Sequence, residues 1–188
     1  MKGFSNGTPK HADDPSSAGR QSGDRETALI SLVELLFFAY RDFTRDPDEI
    51  LAEFNFGRAH HRVLHFVDRY PGLRVADLLD ILKITKQSLA RVLRQLVASG
   101  FIEQRLGEAD RRERRLYVTG AGRELAVRLL EPQVRRMQEA LGQTHGGTEE
   151  EAVRAFLFAM IETVERRRVE ALLAGPGGPV VAKREVSP

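Results

Sequence analysis

The chain has 188 residues, which is enough for one domain with a hydrophobic core and flanking extensions but short for two full domains. It contains no cysteine, which excludes disulfides, thiolate nucleophiles and cysteine-based zinc sites. The formal net charge is only +2, so the total charge indicates no partner and its distribution along the chain must be considered.

The apolar stretches are too short for a membrane protein. The longest, Leu35 to Tyr40, falls far below the ~20 residues that a membrane-spanning helix needs, and the N-terminus lacks the apolar segment of a signal peptide. We therefore expect a soluble cytoplasmic protein with no membrane partner. A phosphate-cradling glycine loop, a Gly-x-Ser-x-Gly motif and a metalloprotease His-Glu pair are all lacking, so neither an enzyme nor a cofactor is expected.

Both ends of the sequence are poor in apolar residues. Residues 1–24 are rich in Gly, Ser, Pro, Asp and Lys and predict a disordered tail, because too little surface can be buried to offset the entropy of ordering. Residues 175–188 begin with Gly-Pro-Gly-Gly-Pro and predict a second disordered tail.

Between the tails, apolar residues recur mostly at helical spacing. The first predicted helix covers about 26–45, and its apolar sector is so wide that the helix needs cover on two sides. Pro47 is typical of a first helical position and predicts a short second helix to about Phe54. A further helix is predicted over about 59–70.

The central segment changes from helical to strand spacing. Short helices are predicted over 74–81 and 86–99, with Thr85 as the cap of the second one. Two short strands, 101–106 and 114–119, then predict a hairpin with an arginine-rich tip. After the hairpin, two long helices are predicted, over about 119–141 and 149–173.

Positive charge is concentrated around these central elements. From Ile84 to Arg128 there are ten basic residues against five acidic ones, and nine of the ten are arginine. The planar guanidinium suits phosphate groups and guanine edges better than a lysine ammonium does. A solvated basic surface without a partner is the alternative interpretation of the same pattern.

A short helix, a tight turn and a second helix with small polar residues at its start form an arrangement in which the second helix can enter the major groove of DNA. Gln87 suits pairing with adenine and Arg91 with guanine, whereas Thr85 and Ser88 suit phosphate equally well. The candidate DNA contacts of this helix are Thr85, Lys86, Gln87, Ser88, Arg91 and Arg94.

The hairpin tip strengthens this interpretation. Four arginines lie within five residues, and such close like charges repel one another unless an anionic partner receives them. The minor groove of DNA, with its strong negative potential, is such a partner. The candidate contacts here are Arg111, Arg112 and Arg114.

The segment from Asp110 to Thr119, followed by Gly122, resembles the wing signature of the MarR family of winged helix-turn-helix transcription regulators, and the sequence Gly-Phe-Ile-Glu at 100–103 resembles the start of that family's first wing strand. The resemblance is best from about residue 58 to 125. It implies that Arg112 reaches the minor groove and that Asp110 holds the wing's shape, through pairing with a nearby arginine. Gln104 departs from the family, which usually has arginine there.

The resemblance also implies a mostly α fold with a small β-wing, consisting of a winged helix-turn-helix domain at 58–119 and a helical dimerisation region at 25–57 and 120–174. A bacterial homodimer of this type reads a pseudo-palindromic operator in double-stranded DNA and is typically a repressor. The wide apolar sector of the first helix agrees with dimerisation.

Three other interpretations stay open. Phe37, Arg41, His61 and His65 could line a pocket for a small effector, although core or interface packing also explains the apolar residues around them. His61 and His65 share one helical face with Asp68 and would suit a metal-responsive regulator, whereas His60 lies about 100° away from them. Finally, the basic surface could belong to a helical interaction module that docks an acidic protein partner.

Overall fold

The computed structural model describes residues 15–107, 110, 112–143 and 149–174, with side chains over 23–107, 110, 112–143 and 150–174. In these ranges the fold is mostly helical with one small antiparallel sheet, which confirms the predicted fold class. The helices are α1 (Pro15–Ala52), α2 (Arg58–Arg69), α3 (Val75–Leu82), α4 (Lys86–Ala98), α5 (Gly120–Gln143), α6 (Glu149–Ala159) and α7 (Thr163–Leu173). The strands are β1 (Leu73–Arg74), β2 (Ile102–Leu106) and β3 (Arg114–Val118).

The chain divides into two compact units, Met1–Asp42 and Phe43–Pro188, and each is described by itself. The first unit contains the N-terminal part of α1, which begins at Pro15, inside the segment predicted as a tail. Helix formation is cooperative, so a strongly helical segment can extend into a weaker one. The remaining residues of the two predicted tails, 1–14 and 175–188, lie outside the described residues.

The prediction that a new helix begins at Pro47 is wrong, because α1 continues through this residue. A proline inside a helix has no N–H for the carbonyl four residues earlier, here that of Phe43. The side chain of Gln133 in α5 supplies a substitute, since its Nε2 donates to the Phe43 carbonyl at 3.5 Å. Pro47 itself is fully buried.

The core of the Phe43–Pro188 unit consists of the apolar stripes that the sequence predicted. Side chains from α2, α3, α4 and α5 meet the sheet there, and Leu116 of β3 is 0 % exposed. Helices α2 and α5 contact each other, and α2 also packs on α4. The fully buried residues include Val63, Leu64, Val67, Leu78, Leu96, Leu116 and Leu129.

The sheet has the strand order β1–β3–β2 and is antiparallel throughout. Strands β2 and β3 form the predicted hairpin, with Gln104 opposite Leu116 and Arg105 opposite Arg115. The sequence analysis did not predict β1, because a strand of two residues shows no period-2 pattern. Gly72 precedes it with a φ of +82° and donates its N–H to the Leu116 carbonyl at 2.8 Å.

The prediction of a single last helix over 149–173 is wrong, because the structure has two helices there, α6 and α7. Arg166 of α7 explains the break: its guanidinium donates to the carbonyls of Ala159 at 2.7 Å and Ile161 at 3.0 Å. The carbonyl at the end of α6 and the carbonyl two residues beyond it therefore have partners without a continuing helix. Within the part of the chain that the structure describes, no helix is both long and apolar enough to cross a membrane.

Candidate nucleic-acid interface

Helix α4 divides its residues between a buried and an exposed side. Its apolar residues enter the core, for example Leu89, which is 1 % exposed, and Val92, which is 1 % exposed. The six residues predicted to contact DNA are all exposed and lie between the N-cap of α4 and its third turn: Thr85, Lys86, Gln87, Ser88, Arg91 and Arg94. The structure therefore presents the predicted set together on one helix.

Thr85 and Ser88 are joined by two hydrogen bonds. Thr85 Oγ1 accepts from the backbone N–H of Ser88 at 3.1 Å, which caps α4, and donates to Ser88 Oγ at 2.9 Å. A hydroxyl group has one hydrogen, so the Ser88 hydroxyl keeps its own for another acceptor. Thr85 thus has a structural role, while Ser88 remains able to donate to a phosphate oxygen.

The turn before α4 depends on a left-handed residue. Lys83 ends α3 with φ 50° and ψ 40°, and its N–H donates to the Leu79 carbonyl at 2.9 Å. Two residues separate it from Lys86, where α4 begins. The direction in which α4 leaves α3 is therefore determined over a very short segment.

The tip of the β2–β3 hairpin is closed by backbone bonds around Asp110. Gly107 donates its N–H to the Glu113 carbonyl at 3.0 Å, and Glu113 donates to the Asp110 carbonyl at 3.0 Å. Asp110 Oδ1 accepts the backbone N–H of Arg112 at 2.8 Å. The carboxylate shapes the tip through this backbone bond. Its expected pairing with a nearby arginine side chain stays a prediction, because Arg111 lies outside the described residues.

The basic residues of the hairpin fall into two groups. Arg115 pairs with Glu113 at 3.2 Å, and Arg105 pairs with Glu103 and stacks on the Tyr117 ring, 4.4 Å from its centroid. In contrast, the exposed side chains of Arg112 and Arg114 have no acidic partner within the described ranges.

The three cations of α4 resemble this second group. Lys86, Arg91 and Arg94 are exposed and form no ion pair with any residue that the structure describes. Unpaired cations on a helix and on a hairpin tip are typical of a surface that receives an anion.

An ion-pair network joins the start of α3 to the tip of the hairpin, and sequence reasoning missed it. Arg74 binds both carboxylate oxygens of Asp77, at 2.6 and 2.7 Å, and donates to Glu113 Oε1 at 3.1 Å. The hydrogen bonds to Asp77 and then Glu113 raise the pKa of Arg74 above its usual value. An arginine three residues before an aspartate at a helix start is the sequence signal that could have found the pair.

Two residues of the wing signature, Thr119 and Gly122, make specific contacts at the start of α5. Thr119 Oγ1 accepts the N–H of Gly122 at 3.0 Å and donates to the Gly100 carbonyl at 2.6 Å. A Cβ atom on Gly122 would overlap the carbonyl of Phe101. Only glycine lets α5 approach the first wing strand so closely.

The four residues predicted for an effector pocket belong to different units. Phe37 and Arg41 lie on the N-terminal part of α1, where Phe37 is 67 % exposed and Arg41 pairs with Asp42 at 2.9 Å. His61 and His65 are half-buried on α2. Burial first, and then the neighbouring His65, lower the pKa of His61 to about 4, and burial also lowers the pKa of His65.

The metal interpretation of His61, His65 and Asp68 finds no support. Within the described part of the chain, no group of three or more His, Asp or Glu side chains could hold a metal ion. Asp68 instead lies 3.7 Å from the guanidinium of Arg123.

A helix-turn-helix followed directly by an antiparallel hairpin on the same core is a winged helix-turn-helix, a DNA-binding architecture. A model of the MarR family matches residues 54–113. The HTH-type transcriptional regulator PetP of Rhodobacter capsulatus is 46 % identical over 140 residues, which are 74 % of this chain and 84 % of that protein.

Two solved structures share the fold. A crystal structure of MarR superposes with a TM-score of 0.55 at 28 % identity, covering 76 % of this chain and 94 % of that one. A MarR variant from E. coli complexed with operator DNA gives a TM-score of 0.55 at 18 % identity, covering 72 % and 96 %. This chain belongs to the MarR family of DNA-binding transcription regulators. The expectation of a regulator rather than an enzyme is thereby confirmed.

Proposed function

We propose that this regulator acts as a homodimer that binds a pseudo-palindromic operator, with α4 in the major groove and the β2–β3 hairpin in the minor groove. The observation that supports it is the selective pairing of charge: Arg105 and Arg115 are engaged within the protein, whereas the cations of α4 and of the hairpin tip have no acidic partner within the described residues. A related fold has been crystallised with operator DNA.

Each exposed residue is assigned a contact by its chemistry. Gln87 suits an adenine edge and Arg91 a guanine edge, because both side chains can form two hydrogen bonds to a base. Lys86, Ser88 and Arg94 suit phosphate oxygens. Arg112 and Arg114 suit the minor groove, and Arg111 is included with them from its place in the sequence.

The homodimer accounts for exposed apolar surface in both units. On the N-terminal part of α1, large apolar side chains are between 42 % and 67 % exposed. On α6, α7 and the turn between them, Phe156 is 54 % exposed, Met160 is 53 % exposed and Val164 is 83 % exposed. Contiguous apolar surface of this kind usually marks an interface, and a second copy would cover it with the same residue types. The exposed residues of α1 are Leu29, Ile30, Leu32, Val33, Leu35, Leu36, Phe37, Phe38 and Tyr40.

Control by a small effector stays part of the proposal. An anionic or aromatic ligand that contacts Phe37, Arg41, His61 or His65 would change the population of DNA-binding-competent dimers only if it binds one arrangement of the dimer better than another. Loss of operator affinity on addition of such a ligand is the expected readout.

In-vitro selection of bound duplexes, followed by sequencing, tests the proposal. A two-fold symmetric motif is expected, with half-sites about one helical turn, ~34 Å, apart. Equal competition by the selected duplex and by random duplex would contradict it and favour a basic module that docks an acidic protein. Size-exclusion chromatography with light scattering gives the oligomeric state independently of DNA.

A further inference from the structure

Helix α7 is tied to the helix-turn-helix by ion pairs. Lys83 Nζ lies 2.9 Å from Glu165 Oε1, and Arg168 Nη2 lies 3.4 Å from Asp80 Oδ2. Arg168 Nη1 also lies 3.7 Å from Glu165 Oε2, so α7 contributes both an anion and a cation. These contacts connect α7 to the last turn of α3 and to the residue that follows it.

A neutral contact lies at the other end of α7. Tyr70, at the end of α2, donates its hydroxyl to the Leu172 carbonyl at 2.6 Å. Residues 165, 168, 169 and 172 share one helical stripe and are all half-buried, whereas Val164 and Arg167 on other sides are exposed. One side of α7 therefore faces the end of α2 and the end of α3.

The contact is made by polar side chains more than by apolar packing, since α7 has no fully buried residue. Asp80 is 59 % exposed at its side chain, and ion pairs with such solvent access stabilise a fold little. Arg168 Nη2 is buried but forms no hydrogen bond within the described residues, even though Asp80 lies so near. Removal of these pairs should therefore change the stability of the fold little.

These ion pairs lie beside the turn that precedes α4, the helix proposed to enter the major groove. Lys83 holds the left-handed turn that determines how α4 leaves α3, and Asp80 lies three residues before it. A displacement of α7 would move this turn, and the start of α4 with it.

We propose that Glu165 and Arg168 are positioning residues that determine the placement of α4, and hence the half-site spacing that the dimer prefers. This inference rests on the proposed homodimer. It assigns to α7 a role in specificity without any contact between α7 and DNA.

The test compares binding of full-length variants to the selected operator and to operators with one base pair added or removed between the half-sites. Arg168→Gln and Asp80→Asn should each reduce the preference for the selected spacing by about threefold or more. The double variant should lose no more than Arg168→Gln alone, because that substitution already removes the pair with Asp80. Arg168→Lys should keep most of the preference.

Arg167→Gln is the matched control, because it removes the same charge from an exposed neighbouring position of α7. It should keep the spacing preference, and melting temperatures of all variants should remain close to that of the wild type. Unchanged spacing preference in both Arg168→Gln and Asp80→Asn would overturn the inference while leaving the proposed function intact. A wild-type protein that selects no symmetric site would contradict both.

Discussion

Nε2 of His60 in α2 lies 2.9 Å from Oε1 of Gln95 in α4. The other ring nitrogen, Nδ1, accepts the backbone N–H of Gly57 at 3.1 Å, so the ring carries its hydrogen on Nε2 and donates it to Gln95. His60 is 6 % exposed, and its imidazole stacks on Phe56 with ring centroids 4.4 Å apart. A single buried side chain thus joins the start of α2 to α4.

Replacement of His60 should destabilise the domain. His60→Leu keeps a comparable apolar volume but removes the hydrogen bonds to the Gly57 N–H and the Gln95 amide oxygen, which together contribute roughly 1–3 kcal/mol of unfolding free energy. Urea denaturation measures the loss. The exposed Arg62→Ala on the same helix is the control and should change stability little; equal stability of the two variants would contradict the role of His60.

Gly122→Ala should lower the stability of the fold by more than the addition of one methyl group usually does. The added methyl group would overlap the Phe101 carbonyl, which belongs to backbone and cannot rotate away, so the cost should be about 2 kcal/mol or more. Thermal unfolding checks this expectation.

Gly120→Ala provides the matched control for that substitution. Gly120 is the first residue of the same helix, and a Cβ atom there meets nothing within 4 Å. Its substitution should be neutral or slightly stabilising. If both variants melted at the same temperature, the close approach of α5 to Phe101 would not be a requirement of the fold.

Sequence patterns predicted α2, α3 and α4 well, because each buries a stripe of Leu and Val residues that recurs at helical spacing. They failed where a distant side chain overrides a local signal. Pro47 looks like a helix start, yet the helix continues because Gln133, far along the chain, supplies a donor for the freed carbonyl. Arg166 similarly allows the break between α6 and α7.

The candidate site was predictable to the extent that it depends on exposed residues of one helix and one hairpin. What the sequence could not distinguish is which arginines are already paired. Arg115 looks like Arg114 in the sequence, but Arg115 alternates to the other side of β3 and meets Glu113. His60 does not share the helical face of His61 and His65, and its role is visible only in the packing of α2 on α4.

Acid should weaken the fold through His61. Its pKa is about 4 in the folded protein against 6.5 ordinarily, because burial and then the nearby His65 disfavour the charged form. Between these values the unfolded chain binds more protons, so the stability contribution is present above pH 6.5 and is lost as the pH falls towards 4. The slope from one histidine is at most about 1.4 kcal/mol per pH unit.

Urea denaturation of the wild type and of His61→Gln at pH 7.5, 6 and 5 measures this contribution, because carboxylates titrate alike in both proteins. The unfolding free energy of the wild type should fall more steeply with decreasing pH. Parallel pH profiles for the two proteins would show that His61 titrates normally in the folded state.

The hairpin tip should contribute charge to DNA binding, and its arginines should contribute unequally. Arg112→Ala should lower operator affinity for all sequences and reduce the salt slope of binding by about one unit, because one phosphate-neutralising cation is lost. Arg115→Ala is the matched control on the same hairpin: its guanidinium already pairs with Glu113, so its removal should change the slope less.

Gln87→Ala should instead relax the base preference and leave the slope nearly unchanged, since an amide releases no counterion. Fluorescence anisotropy with the selected operator over a series of salt concentrations distinguishes these outcomes, and an Arg112→Ala slope equal to that of the wild type would remove the hairpin from the DNA interface.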